Sequence, residues 1–303
     1  MAFNWKAFKT RSLTAIVFVV VMLAGLLWNH WSFFILFSII HFGCWAEYQK
    51  IIQKIDPQYS EISPFHLYGV RIAGWCMMMY SCSNACHIST ITLSAVGWWM
   101  GLIFIFVLPI VEILFSKQIN LKNIGYSALG LVYISLSCAL MIQLRSGELW
   151  MPHYGDQGIL SAFSSVMATL AGYVIPLVII ASLWANDTMA YIVGSIIGKT
   201  PLSAISPKKT WEGTIGGIIL SVVVVTLLGV YALKGEAFYF ISISLIASVV
   251  GTFGDLLESK LKRLAGIKDS GHIMPGHGGF LDRFDSLLLA VPAVWLFCFF
   301  FIR

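Results

Sequence analysis

The chain has 303 residues, 58% of them hydrophobic and only 11% charged, with a formal net charge of +5 at pH 7. Soluble domains carry roughly 25% charged residues, so the composition excludes an ordinary water-soluble globule. Lys and Arg gather in short loops, with no long basic stretch interleaved with aromatics, which excludes a nucleic-acid binder.

Apolar runs of about 17 to 25 residues, the helical length that crosses a hydrocarbon core of roughly 30 Å, recur from one end to the other. Runs such as "GGIILSVVVVTLLGVYAL" lack the polar alternation of a barrel strand, so the expected fold is all-α, a polytopic helical bundle. In chain order the spacing predicts nine spans, over 12–28, 31–47, 69–87, 95–115, 124–144, 163–184, 212–233, 238–257 and 283–302. The first follows Lys6, Lys9 and Arg11 like a signal peptide, but no small-residue cleavage site follows it, and it reads as a retained helix.

Positive charges sit on the cytoplasmic side of short loops. Lys50 and Lys54 follow the second span, Lys117 and Lys122 the fourth, Lys199, Lys208 and Lys209 the sixth, and Lys260, Lys262, Arg263 and Lys268 the eighth. The alternate loops carry few, so nine spans with the N-terminus inside satisfy every loop. The segment 186–200, "NDTMAYIVGSIIGKT", is too short to cross alone and is expected to form a short or re-entrant helix over 187–198 at the cytoplasmic face. As one membrane domain, residues 1–160 read as a scaffold of helices and 161–303 as the half that carries the chemistry.

The span middles show no Asp, Glu, Lys or Arg; Glu47, Arg71, Glu112 and Arg145 fall near span ends, where long side chains reach the interface. Transporters place such groups near the midplane, so the pattern opposes transport and moves the chemistry to the cytoplasmic surface. The six cysteines lie mostly in apolar runs and behave as small hydrophobes. Cys82, Cys86 and His87 lack further nearby ligands for a closed zinc site.

Three polar elements remain: Asp187 in "NDTMAY", the loop "SPKKTWEGTIGG" over 206–217, and the stretch 254–285. The last balances five bases (Lys260, Lys262, Arg263, Lys268, Arg283) with five acids (Asp255, Glu258, Asp269, Asp282, Asp285). A site that only held an anion would omit the acids. Phosphoryl chemistry needs both, with carboxylates on a divalent metal and bases on phosphate oxygens. Asp282 and Asp285 share a face if the last helix begins near Leu281, and Asp255, Ser259, Lys262 and Arg263 fall at helical spacing. In "PGHGG", Gly276, Gly278 and Gly279 flank His277 just before that helix, where bare backbone can approach a phosphate. Positive-inside anchoring and surface ion pairs are the plainer explanation for any one of these elements; their co-occurrence on one side favours chemistry.

The stretch 259–285, "SKLKRLAGIKDSGHIMPGHGGFLDRFD", closely resembles the signature of the phosphatidate cytidylyltransferase family, the CDP-diacylglycerol synthases. "SPKKTWEGTIGG" and "DTMAYIVGSIIGK" resemble its upstream motifs, and "RSLTA" its bacterial members. Met274 and Ser195 depart from the family pattern, the first as an apolar swap, the second where a basic residue is usual. The resemblance implies transfer of CMP from CTP to phosphatidic acid, giving CDP-diacylglycerol and pyrophosphate, by a multi-pass protein of the cytoplasmic (inner) membrane with its active site facing the cytoplasm. It implies Mg²⁺, a second cation such as K⁺, and a homodimer.

On that resemblance Asp255 and Asp282 are the leading metal ligands, with Asp285 and Asp187 behind them. Lys208, Lys209, Lys262, Arg263, Lys268 and Arg283 neutralise phosphates, the arginines by bidentate contacts. Ser206, Thr210 and the backbone of Gly276, Gly278 and Gly279 donate hydrogen bonds, and His277 touches a phosphate. Ser259, Asp269 and Glu212 complete the expected site. The rival readings are a nucleotidyltransferase for another lipid phosphate, such as an archaeal ether lipid, and an anion or nucleotide transporter.

Overall fold

The computed structural model describes residues 5–82, 86–115, 120–146, 159–233, 235–271 and 278–301. Among them the fold is all-α apart from one hairpin of two-residue strands, β1 (His87–Ile88) and β2 (Ile91–Thr92). The helices are α1 (Trp5–Leu27), α2 (His30–Ile55), α3 (Pro64–Tyr80), α4 (Leu93–Phe115), α5 (Leu121–Gly130), α6 (Ser137–Ser146), α7 (Ile159–Ile197), α8 (Trp211–Leu233), α9 (Ala237–Leu264) and α10 (Leu281–Phe301). A 3₁₀ turn, Pro57–Glu61, follows α2, and a π-helical stretch, Leu131–Leu136, joins α5 to α6.

Local sequence explains where several helices begin. Asn29 and Ser32 form a reciprocal capping box ahead of α2, Ser63 caps α3 with Pro64 in the first turn, and Asn120 caps α5. At the other end of α9, Gly266 takes φ +67 and Ile267 N–H bonds the Lys262 carbonyl, a left-handed helix stop that glycine adopts without penalty.

Six segments among the described residues are long and apolar enough to cross a membrane, not nine. They are Leu93–Leu114, Leu121–Ser146, Gly172–Ile197, Trp211–Leu233, Ala237–Leu264 and Leu281–Phe301. The three expected spans that fall short are the first three. In α1 the side chains described within the helix are Leu13–Leu27, 15 apolar-rich residues, and α3 has 17 residues. The 26-residue α2 is too polar, with Ser32, Ser38, His41, Glu47 and Gln49 along it. One face of α2 is buried, through Phe33, Phe37, Ile40, Cys44, Trp45, Tyr48 and Ile51, while Ile35 and Ile39 on another face are more than half exposed.

The short or re-entrant helix expected over 187–198 is also corrected. α7 runs unbroken for 39 residues through Asp187 and stops only at Gly198. Neither Gly nor Pro interrupts it between Pro176 and Gly194, so nothing ends the helix where the apolar count suggested. Among the described residues the apolar segment of α7 is Gly172–Ile197, which includes Asp187.

The chain divides into two compact units, one of residues Met1–Ile142 with Leu261–Phe284, the other of Gln143–Lys260 with Asp285–Arg303. In the first, the π-helical stretch lets Ser135 accept from Trp45 Nε1 at 2.9 Å and meet His41 Nε2 at 3.0 Å. In the second, α7 and α8 pack through small residues: a Cβ on Gly217 would lie 2.7 Å from the Ala190 Cβ, and one on Gly213 2.9 Å from the Gly194 Cα. Ser221 Oγ of α8 donates to the Ser182 carbonyl of α7 at 2.8 Å, and Ser248 Oγ of α9 to Ser221 Oγ at 3.2 Å. This close crossing fixes where the polar ends of α7, α8 and α9 stand.

Candidate active site

The polar residues singled out in the sequence gather in two places, one in each unit. In the second unit, a cavity of ≈ 480 Å³ is lined by Asn186, Asp187, Tyr191 and Ser195 of α7, by Ser206, Lys208, Lys209 and Thr210 of the loop before α8, and by Thr252 and Asp255 of α9. The loop is held as a narrow turn: Leu202 N–H bonds the Lys209 carbonyl at 2.7 Å and Trp211 N–H the Thr200 carbonyl at 2.9 Å. Thr210 Oγ1 then accepts from Gly213 N–H at 3.1 Å and starts α8.

Lys209 Nζ is ion-paired with Asp255, whose other carboxylate oxygen accepts from Ser259 Oγ at 3.3 Å. Asp285 is buried, 8% exposed, within electrostatic reach of Asp255, Asp187 and Lys209. A Cβ on Gly254 would lie 2.6 Å from the Asp285 carbonyl, so α9 and α10 touch backbone to backbone here. Asn186 is 5% exposed; its Nδ2 reaches Thr252 Oγ1 at 3.4 Å, and its buried Oδ1 has no hydrogen-bond partner among the described residues.

In the first unit, Asp282 is surrounded by donors. Oδ1 accepts from Lys262 Nζ at 2.6 Å; Oδ2 accepts from Ser270 N–H at 2.9 Å and Gly279 N–H at 2.8 Å. Gly278, with φ +79, passes so close that a Cβ there would lie 2.7 Å from Asp282 Oδ2. The Gly279 amide, expected to face a phosphate, is thus spent on Asp282.

The structure therefore gathers Asp187, Ser206, Lys208, Lys209, Thr210, Asp255, Ser259 and Asp285 in the second unit, and Lys262, Gly278, Gly279 and Asp282 in the first. Glu212 does not line the cavity; its carboxylate accepts from Lys199 and Thr200 N–H at 3.2 Å and holds the entrance to the loop. Arg263 donates to the Ile267 carbonyl at 3.2 Å. Lys268, Asp269 and Arg283 are exposed. Gly276 and His277 lie outside the described residues. Ser195, the departure from the family pattern, turns its hydroxyl back onto the Ile192 carbonyl at 2.8 Å.

Two residues were missed. Asn186 carries no charge and hides beside Asp187 in the sequence. Glu47, expected to reach the interface, is 2% exposed and bonds the signature stretch: it accepts from Ser270 Oγ at 2.6 Å, Phe280 N–H at 2.9 Å and Leu281 N–H at 2.8 Å. Its signal was a carboxylate inside the apolar, aromatic run "FGCWAEY".

The donor chemistry suits a hard divalent cation. Asp187, Asp255 and Asp285 outnumber Lys209, and Mg²⁺ commonly takes only one or two protein carboxylates, completing its shell with water and substrate phosphates. No group of three His, Cys, Asp or Glu side chains that could hold a metal ion is found among the described residues. Asp282 fits less well, because an ion there would compete with the Lys262 ammonium and two amides.

The family model of the cytidylyltransferases matches residues 9–301, almost the whole chain. The chain belongs to the cytidylyltransferase family. Among its relatives, the phosphatidate cytidylyltransferase of Bacillus subtilis (strain 168) is 36% identical over 185 residues, 60% of this chain and 61% of that protein. The phosphatidate cytidylyltransferase of Synechocystis sp. is 37% identical over 190 residues, 60% and 64% of the two chains. That of Helicobacter pylori (strain ATCC 700392 / 26695) is 48% identical over 104 residues, 34% and 39%. The chain thus spans less than two thirds of the length of these relatives. The cytidylyltransferase match includes the loop before α8 and the signature stretch ahead of α10, the two segments that build the polar centres.

Proposed function

We propose that the protein transfers CMP from CTP to phosphatidic acid, producing CDP-diacylglycerol and pyrophosphate. The observation that carries this reading is the cavity that Lys208 and Lys209 line together with Asp187 of α7 and Asp255 of α9, two apolar helices, in a member of the cytidylyltransferase family. An amphiphilic acceptor keeps its acyl chains among such helices while its phosphate reaches a polar pocket.

In the reaction, a phosphate oxygen of phosphatidate attacks the α-phosphorus of CTP, the bond from that phosphorus to the bridging oxygen breaks, and pyrophosphate leaves with that oxygen. The nucleophile is already anionic, so no general base is required. Lys208 and Lys209 neutralise the triphosphate, and Ser206 and Thr210 orient it by hydrogen bonds. Asp255 and Asp285, with Asp187 beside them, would hold Mg²⁺. When bound, the ion stabilises negative charge gathering on the departing pyrophosphate. Asp282, with Lys262, organises the stretch that precedes α10. We place the protein in the cytoplasmic membrane with this pocket facing the cytoplasm, where CTP is available.

The deciding experiment incubates purified protein in detergent with labelled CTP, phosphatidic acid and Mg²⁺, and measures label in lipid-extractable product with pyrophosphate release. Equal amounts of both products support the proposal. Folded protein that yields neither with phosphatidate overturns it; an ether-linked lipid phosphate in its place then tests the neighbouring lipid class, and nucleotide counterflow in proteoliposomes tests transport.

A further inference from the structure

The carboxylate of Glu47 is the most deeply withdrawn acid bonded to the signature stretch, and it comes from a helix that begins at His30. Burying a carboxylate costs several kcal/mol unless hydrogen bonds replace its water. Here they do: Oε1 accepts from Phe280 N–H, and Oε2 from Leu281 N–H and Ser270 Oγ. The two amides stand at the start of α10, where a helix leaves its first N–H groups without internal partners and favours a negative charge. A distant helix thus supplies the cap that local sequence lacks, for Gly278, Gly279 and Phe280 offer no side-chain acceptor.

The glycines conform to this carboxylate. A Cβ on Gly279 would run into both Glu47 oxygens and Ser270 Oγ, and one on Gly271 into Glu47 Oε1. Ser270 carries the connection onward: its hydroxyl, bonded to Glu47, also accepts from Asp282 N–H at 3.3 Å, while its own N–H donates to Asp282 Oδ2 at 2.9 Å. Moving Glu47 therefore moves Ser270, and moving Ser270 moves Asp282.

We infer that Glu47 is a positioning residue: acting through Ser270 and the first amides of α10, it sets the orientation of the Asp282 carboxylate and its Lys262 partner. Its catalytic consequence rests on the function proposed above; the tether does not. An apolar side chain would fill the same space with less desolvation, so the carboxylate is there for its directed bonds.

The test uses full-length protein in detergent carrying Glu47→Gln, Ser270→Ala, or both. Glu47→Gln keeps the shape but sets an amide group against donors. Hydrogen exchange of the peptide over 278–284 is expected to speed up roughly tenfold or more, the factor for losing a hydrogen bond to a charged group. A single cooperative melting transition should persist. In turnover of CTP and phosphatidate, kcat should fall by a similar factor with little change in the KM for CTP, and the double variant should lose no more than the worse single one. Unchanged exchange in folded Glu47→Gln protein, or fully additive losses, overturns the proposal. Should Glu47→Gln not fold, Ser270→Ala alone decides it: that variant keeps both amide bonds to Glu47 and must still loosen 278–284 and lower kcat. Wild-type protein inactive on CTP and phosphatidate would defeat the proposed function while the exchange measurement still judges the tether.

Discussion

Lys262 Nζ lies 2.6 Å from Asp282 Oδ1, and the two side chains are only 13% and 12% exposed. Removing one member of such a pair strands the other charge away from water. Lys262→Met is therefore expected to lower the unfolding free energy by about 3 kcal/mol, read as a lower melting temperature in detergent. A melting temperature equal to that of the wild type would mean that the Ser270 and Gly279 amides alone suffice to hold the Asp282 carboxylate.

Lys209 borders the cavity and is paired with Asp255. If it holds the triphosphate, Lys209→Ala should raise the KM for CTP roughly tenfold with a smaller change in kcat. An unchanged KM would remove the loop before α8 from the nucleotide site.

Asn186 has a buried oxygen with no partner among the described residues, so the free protein gains little from it. Asn186→Leu, close in size, should leave the melting temperature unchanged or raised. If substrate uses the amide, turnover should drop roughly tenfold in the same variant. A fall in stability with activity intact would assign the side chain to folding instead.

The α7–α8 crossing makes a third kind of demand. A Cβ at Gly217 meets the Ala190 Cβ at 2.7 Å and its main-chain nitrogen at 2.8 Å, and neither can withdraw as a flexible side chain would. Gly217→Val should cost about 1–3 kcal/mol of stability by overpacking, measured by thermal unfolding.

Chelation of divalent ions should reduce turnover by roughly a hundredfold or more, with recovery on adding Mg²⁺. Asp255→Asn should then shift the Mg²⁺ concentration for half-maximal activity upward. Full activity in the presence of chelator would remove the ion from the proposed chemistry.

Much of this architecture was legible because its signals are local. Apolar length marks the six crossing segments, the onset of α10 at Leu281 follows from the glycines before it, and the pairing of bases with acids around 254–285 appears as Lys262 on Asp282. What escaped depends on packing. Apolar length did not show that one face of α2 packs Phe33, Phe37, Cys44, Trp45 and Tyr48 into the interior. Counting apolar residues from Asn186 onward broke α7 in two, although its hydrogen-bonded ladder has no reason to stop there. Glu47 reads as an interfacial acid because its partners lie 223 to 234 residues away, and Gly279 as a phosphate contact because only the folded turn aims its amide at Asp282 three residues on.

That separation bears on how the protein is made. The unit that contains α2 is discontinuous, closed by residues Leu261–Phe284. Sequential synthesis delivers its first helices long before the strand of chain that completes them, so Glu47 waits in an unfinished interior while α7, α8 and most of α9 are inserted. Final docking of the signature stretch is an event of late biogenesis, after a loop closure over most of the chain. A nascent chain stalled before Ser270 would hold Glu47 without the Ser270, Phe280 and Leu281 donors that replace its water.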